Sequence, residues 1–238
     1  MDDIDFKIGQ LEIDDIDLGD MFDVESEDKS YKIVKNRYMK PKLFRNAKSV
    51  KYKRASDFAK EVSSDIFKGE SIYAILAGNF IFGEIVEALL EQSPNEFIEE
   101  LTISTLSMSI ENVASLRNII EMKQAKTINL IISDYFFAHN RENIKVIYEE
   151  LDVDDNFQLA VAGSHTKIML LKMKTGQKIV LHGSANLRSS SSLEQVMIET
   201  NEHLYDFNYE WHKAILDKYA TINKSIRGNK LFETIKKG

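Results

Sequence analysis

Residues 163–195 read GSHTKIMLLKMKTGQKIVLHGSANLRSSSSLEQ. Two apolar runs flank Lys174-Thr175-Gly176-Gln177, a tetrapeptide of turn-forming character. The pattern predicts a β-hairpin in which strand 166–173 folds back on strand 178–185. Side chains two apart on a strand point the same way. His165 and Lys167 are therefore expected to share one face of the first strand, and Ser184 and Asn186 one face at the end of the second. An imidazole, an ammonium, a hydroxyl and an amide then converge at one end of a sheet. Gly163 and Gly183 are expected to let a ligand approach the backbone beside them.

That set of groups suits a phosphate. Lys167 supplies positive charge, and Ser184 and Asn186 donate hydrogen bonds to nonbridging oxygens. A neutral His165 ring nitrogen is a competent nucleophile at phosphorus. A carboxylate on the other ring nitrogen would orient it; Glu194 is the first candidate and Glu199 the second. The leaving oxygen also needs a proton, which one histidine cannot deliver while it attacks from the opposite side. The plainer alternative is an ordinary hairpin with a polar rim.

His165-Thr166-Lys167 followed by Gly183-Ser184-Ala185-Asn186 resembles the signature of the phospholipase D superfamily: His-x-Lys, four residues, Asp, then Gly-Ser-x-Asn. The likeness covers about residues 155–205, and GSANLRSSSSLEQ looks most like the small single-motif members of bacteria, phages and mobile elements. Lys172 stands where the signature has Asp, and the segment from Lys167 to Gly183 is longer than in the compact signature. Nuclease branches of the superfamily also lack this Asp, so the departure speaks against a lipase. The resemblance implies a homodimer in which His165 of one subunit attacks and His165 of the other is the general acid, with no metal and no cofactor. It implies a phosphodiesterase acting on nucleic acid, DNA in preference to RNA, in the cytoplasm of a bacterial cell or a phage-infected host. The competing readings are a catalytically inactive dimeric DNA-binding protein and, third, a phospholipid hydrolase.

The flanks are read from charge. Residues 1–28 hold twelve acids and one base, Lys7, and alternate acidic with aliphatic positions. Such a segment reads as a disordered tail, solvated or docked on a protein partner. Residues 29–60 hold twelve bases against one acid, Asp57. The net charge of −7 is thus segregated: beyond residue 28 there are 30 bases and 26 acids. Lys40, Lys42, Arg45, Lys48, Lys51, Lys53 and Arg54, interleaved with Tyr38, Phe44 and Tyr52, form a basic arm over 29–55 that suits phosphates and bases. A solvated arm packed on the domain or on the tail is the alternative. The tail could also lie over the arm or the cleft and slow nonspecific binding.

From residue 56 to 238 one phospholipase D-like domain is expected, an α/β fold with a mixed β-sheet flanked by helices on both faces, preceded by an extended N-terminal arm. Helical spacing marks 55–67, 81–92, 109–125, 141–152 and about 202–222, with Ser109 as a cap. Apolar runs mark strands at 71–80, 99–108, 127–137, 156–163 and 195–200. Hydrophobic residues make up 43% of the chain, enough for a sizeable core, and no stretch suits a bilayer span. Cysteine is absent, which removes disulfides, thiol chemistry and Cys-based zinc sites.

The remaining polar residues are weighed singly. His182 is expected on the rim beside Ser184. Arg188 suits a neighbouring phosphate or a surface turn. His139, His203 and His212 lack metal-ligand spacing, and Trp211 and Phe207 suit core or dimer interface. Ser189–Ser192 form a polar turn, since G-x-S-x-G is missing, as are the P-loop, dinucleotide and HExxH patterns.

Overall fold

A computed structural model of the chain describes residues 48–52, 55–76, 80–153, 156–190 and 194–219. The acidic segment and the basic residues Lys40, Lys42, Arg45, Lys53 and Arg54 lie outside them. Eight strands form one mixed sheet, and its centre is the predicted hairpin: β7 (Ile168–Met173) pairs antiparallel with β8 (Lys178–Gly183). The turn closes through Met173 N–H to the Gln177 carbonyl, 2.8 Å, with Gly176 at φ +88°. A left-handed φ of that kind is cheap for glycine alone.

On one side of the hairpin, β7 pairs antiparallel with β4 (Ile98–Thr105). β4 runs parallel to β5 (Ile128–Ser133), and β5 to β6 (Phe157–Ala162). On the other side β8 meets β10 (Glu194–Thr200), then β2 (Ile72–Leu76) and β1 (Lys48–Tyr52). β1 is the edge strand, parallel to β2, so the end of the basic segment is an integral part of the sheet. A two-stranded ladder joins β3 (Phe80–Ile81) to β9 (Ser189–Ser190), within the stretch read as a polar turn.

Apolar side chains alternate between two cores. Leu130 and Ile132 of β5 and Leu181 of β8 face helices α1 (Ala55–Phe67), α2 (Glu84–Gln92), α3 (Ile110–Glu121) and α5 (Arg141–Leu151). Ile131 and Ala160 meet Trp211 and Ile215 of α6 (Glu202–Tyr219) on the other face, where Leu170 and Val180 meet Tyr205. Helices on both faces force the central strands to be apolar on both sides, which is why INLIIS is nearly continuous in hydrophobicity. No helix among the described residues is long and apolar enough to cross a membrane.

Two local readings change and a third is resolved. Residues 134–137 are not strand: β5 stops at Ser133, whose Oγ accepts the Phe136 N–H at 2.9 Å and starts the short helix α4 (Asp134–His139). Ser109 occupies the N-cap position of α3, but its hydroxyl bonds the Asn112 and Glu111 side chains instead of a backbone amide. Trp211 is core.

Two buried polar residues make testable contributions. Asn112 is fully buried and clamps two helix starts, accepting the Gly83 N–H at 2.6 Å and donating to Ser109 Oγ at 3.0 Å. Asn112→Ala leaves the Gly83 amide unpaired in the interior, and urea unfolding is expected to show a loss of about 1–3 kcal/mol. His212 of α6 is fully buried, with Nδ1 on the Asn208 carbonyl at 2.7 Å. Burial pulls its pKa from 6.5 down to about 4, against that carbonyl's upward pull. The unfolded chain therefore takes up a proton that the folded chain refuses. Stability is full above pH 6.5 and falls by about 1.4 kcal/mol per unit as the pH drops toward 4. His212→Gln should flatten that slope in urea melts taken across the window.

Candidate active site

His165 and Lys167 lie in segment 163–167, which precedes β7 and is not strand. Its hydroxyls explain why. Thr166 Oγ1 bonds Ser104 Oγ of β4 and Ser164 Oγ (2.9 Å), and Ser164 Oγ also accepts the Thr166 N–H at 3.3 Å. Side-chain bonds of this kind compete with the ladder. They pin the segment to β4 and leave His165 and Lys167 facing out from it. His165 and Lys167 meet for a reason other than strand alternation: Lys167 Nζ reaches His165 Nδ1 at 3.2 Å and the His165 carbonyl at 3.1 Å. An ammonium only donates, so Nδ1 is the acceptor in this contact.

The second half of the motif is joined to the first through the Gly183 N–H, 3.4 Å from the Lys167 carbonyl. Beyond β8 the chain turns onto β10. Ser184 Oγ donates to Glu194 Oε2 at 2.5 Å and accepts the Gln195 N–H at 2.9 Å, while the Ser184 N–H reaches the Gln195 carbonyl at 3.0 Å. Glu194 is near enough to Lys167 to raise its pKa, but partial burial of the ammonium dominates and the net direction is down. A lysine so tuned holds its proton less tightly than usual. His165, Lys167, Ser184 and Glu194 thus surround one exposed corner of the sheet.

Gly183 is present for a different reason from the one its sequence context suggested. A Cβ there would lie 2.0 Å from the Gln195 carbonyl oxygen, so its bareness admits β10 and not a ligand. The carboxylates also separate. Glu194 engages Ser184, and Glu199, 4% exposed on the α6 face, accepts His182 Nε2 at 3.0 Å instead of orienting His165. His182 therefore belongs to a pair beneath the site.

Asn186 and Arg188 follow on the other side of Ser184 and line a groove of about 370 Å³ with Tyr135, Ile110, Glu111 and Asn143. Asn186 Oδ1 is buried without a hydrogen-bond partner in the described structure. Arg188 is exposed over this groove. Lys48 and Lys51 sit on the edge strand β1, four places across the sheet from β7. Lys172, at the signature's Asp position, is exposed at the turn end of β7, roughly 13 Å of strand from Ile168. Among the described residues no three His, Asp or Glu side chains gather as a metal site. Tyr135 lines the groove because the chain leaves the strand at Ser133 and enters a helix, for which Ser133-Asp134 is the sequence signal.

The chain matches no family model and no curated protein. Among solved structures it is similar in fold to polyphosphate kinase from Porphyromonas gingivalis, with TM-score 0.48 and 11% identity over 70% of this chain; it spans only 28% of the kinase. It is also similar to the phospholipase D family member Nuc from Salmonella typhimurium, TM-score 0.45 and 12% identity, covering 63% of this chain and 97% of Nuc. NucT from Helicobacter pylori gives TM-score 0.46 and 14% identity over 64% of this chain and 100% of NucT.

Proposed function

We propose that the chain is a metal-independent phosphodiesterase of the phospholipase D type that cuts nucleic acid, DNA in preference to RNA, in a site shared by two copies of the chain. The observation that carries this reading is the His165–Lys167 contact of 3.2 Å beside the Ser184–Glu194 pair. A phosphate entering this corner draws Lys167 Nζ onto a nonbridging oxygen, where an ammonium is worth more than against imidazole. That releases His165. Its ring nitrogen attacks phosphorus, a P–N bond forms, and the P–O bond to the leaving strand breaks. The departing oxygen takes its proton from His165 of the second copy, which then, as base, activates the water that hydrolyses the phosphohistidine. Ser184 donates to the phosphoryl oxygens once freed from Glu194, and Asn186 does so through its amide. Arg188 and the basic segment hold flanking phosphates. The alternative is a catalytically inactive dimeric DNA-binding protein that keeps the fold, a reading that Lys172 at the signature's Asp position keeps open.

The test is cleavage of single-stranded DNA, duplex DNA and RNA in EDTA, with acid-labile ³²P trapped on the full-length protein and the dimer followed by sedimentation. EDTA-resistant turnover with a labile phosphoprotein is expected. Salt-dependent binding without product on any substrate would leave a binding protein.

A further inference from the structure

The groove beside Asn186 has features that phosphodiester chemistry does not require. Its volume of about 370 Å³ falls at the small-ligand end of binding sites. Two of the three most exposed large apolar side chains among the described residues, Tyr135 (61%) and Ile110 (44%), lie in its wall. The Tyr135 ring rests on His139, centroids 4.3 Å apart, and the side chain is otherwise largely exposed. Glu111 adds a carboxylate, held below its usual pKa first by the Ser109 hydroxyl, so the groove carries a negative charge at neutral pH. Asn143 adds an amide, and Asn186 presents an unpartnered oxygen.

A carboxylate beside an open aromatic ring repels a phosphate and suits a planar, uncharged ring edged with N–H donors. Arg188, at the motif side, supplies the only cation among the described residues of this wall. Asn186 lies two residues from Ser184, at most roughly 7 Å of chain, so the groove opens directly on the candidate active site.

We propose that this groove receives one unstacked nucleobase next to the phosphate being cut, with Tyr135 as its stacking platform, and that the substrate is accordingly single-stranded or locally opened nucleic acid. The inference rests on the phosphodiesterase reading above and deepens it. A base inside a duplex is stacked on both faces and cannot enter; an open strand offers it freely. Arg188 holds the phosphate that joins this base to the scissile one. Glu111, the Asn143 amide and Asn186 Oδ1 meet its edge, which favours bases with an exocyclic amino group.

The experiment uses the full chain carrying His165→Ala, so that nothing is cleaved, and short oligonucleotides with 2-aminopurine at each position in turn. Stacking is expected to quench the fluorophore at one position only. Tyr135→Ala should abolish that quenching and weaken single-strand binding roughly tenfold, Tyr135→Phe should retain both, and a matched duplex should bind at least tenfold more weakly. Tyr135 is exposed, so circular dichroism is expected to be unchanged by either substitution. Undiminished binding by Tyr135→Ala, or duplex binding as tight as single-strand binding, overturns the inference and leaves the phosphodiesterase reading standing. Failure to bind any nucleic acid overturns both.

Discussion

His165→Ala is expected to lower EDTA-resistant cleavage at least about 10³-fold, because in a shared site one substitution removes both the attacking nitrogen and the general acid. The side chain is exposed, so the melting temperature should stay within the small range of surface substitutions. This separation of activity from stability makes the measurement informative. Mixed dimers sharpen it further. One wild-type and one His165→Ala subunit, separated by two affinity tags, should be nearly inactive if the site is shared. Half the wild-type rate would mean that each chain works alone. Cleavage by the alanine variant within a few fold of wild type would remove His165 from the chemistry altogether.

Gly183→Ala is expected to be far more disruptive than Gly176→Ala, the same change in the hairpin turn. The added carbon would sit 2.0 Å from the Gln195 carbonyl oxygen, 3.0 Å from its carbon and 3.2 Å from Val196 Cα. All three are backbone, so β10 has to move away from β8. Overpacking of this kind costs about 3 kcal/mol, or roughly 6–12 °C in Tm for a chain of this size. Cleavage should fall even well below the melt, because the Ser184–Gln195 pairing that sets Glu194 lies in the displaced junction. Gly176→Ala is the control. Nothing lies within 4 Å of its new carbon, and only the left-handed φ is penalised, by about 1 kcal/mol with activity intact. Equal effects of the two substitutions on cleavage would mean that strand approach at Gly183 does not set the site.

Much of the architecture is legible from local pattern. The hairpin, its turn and the alternation of helix with strand follow from apolar periodicity and from Gly176, because each depends on a few neighbouring residues and on backbone sterics. The proximity of His165 and Lys167 was expected from strand alternation, but the segment holding them is not strand and is pinned by Ser164 and by the distant Ser104 of β4. The turn into α4 was also within reach, since Ser133 caps it two residues before Tyr135.

The pairing of carboxylates was not legible. Glu194 and Glu199 are five residues apart on one strand, and nothing near them says which meets Ser184 and which meets His182. That depends on β10 inserting between β2 and β8, strands that are its neighbours in space and not in sequence, and on a register in which Val196 faces Gly183. One step of slippage would exchange the faces of both carboxylates. Local residues write the elements, whereas long-range strand order selects which charged groups share a corner, because that order is set by the burial of two whole sheet faces at once.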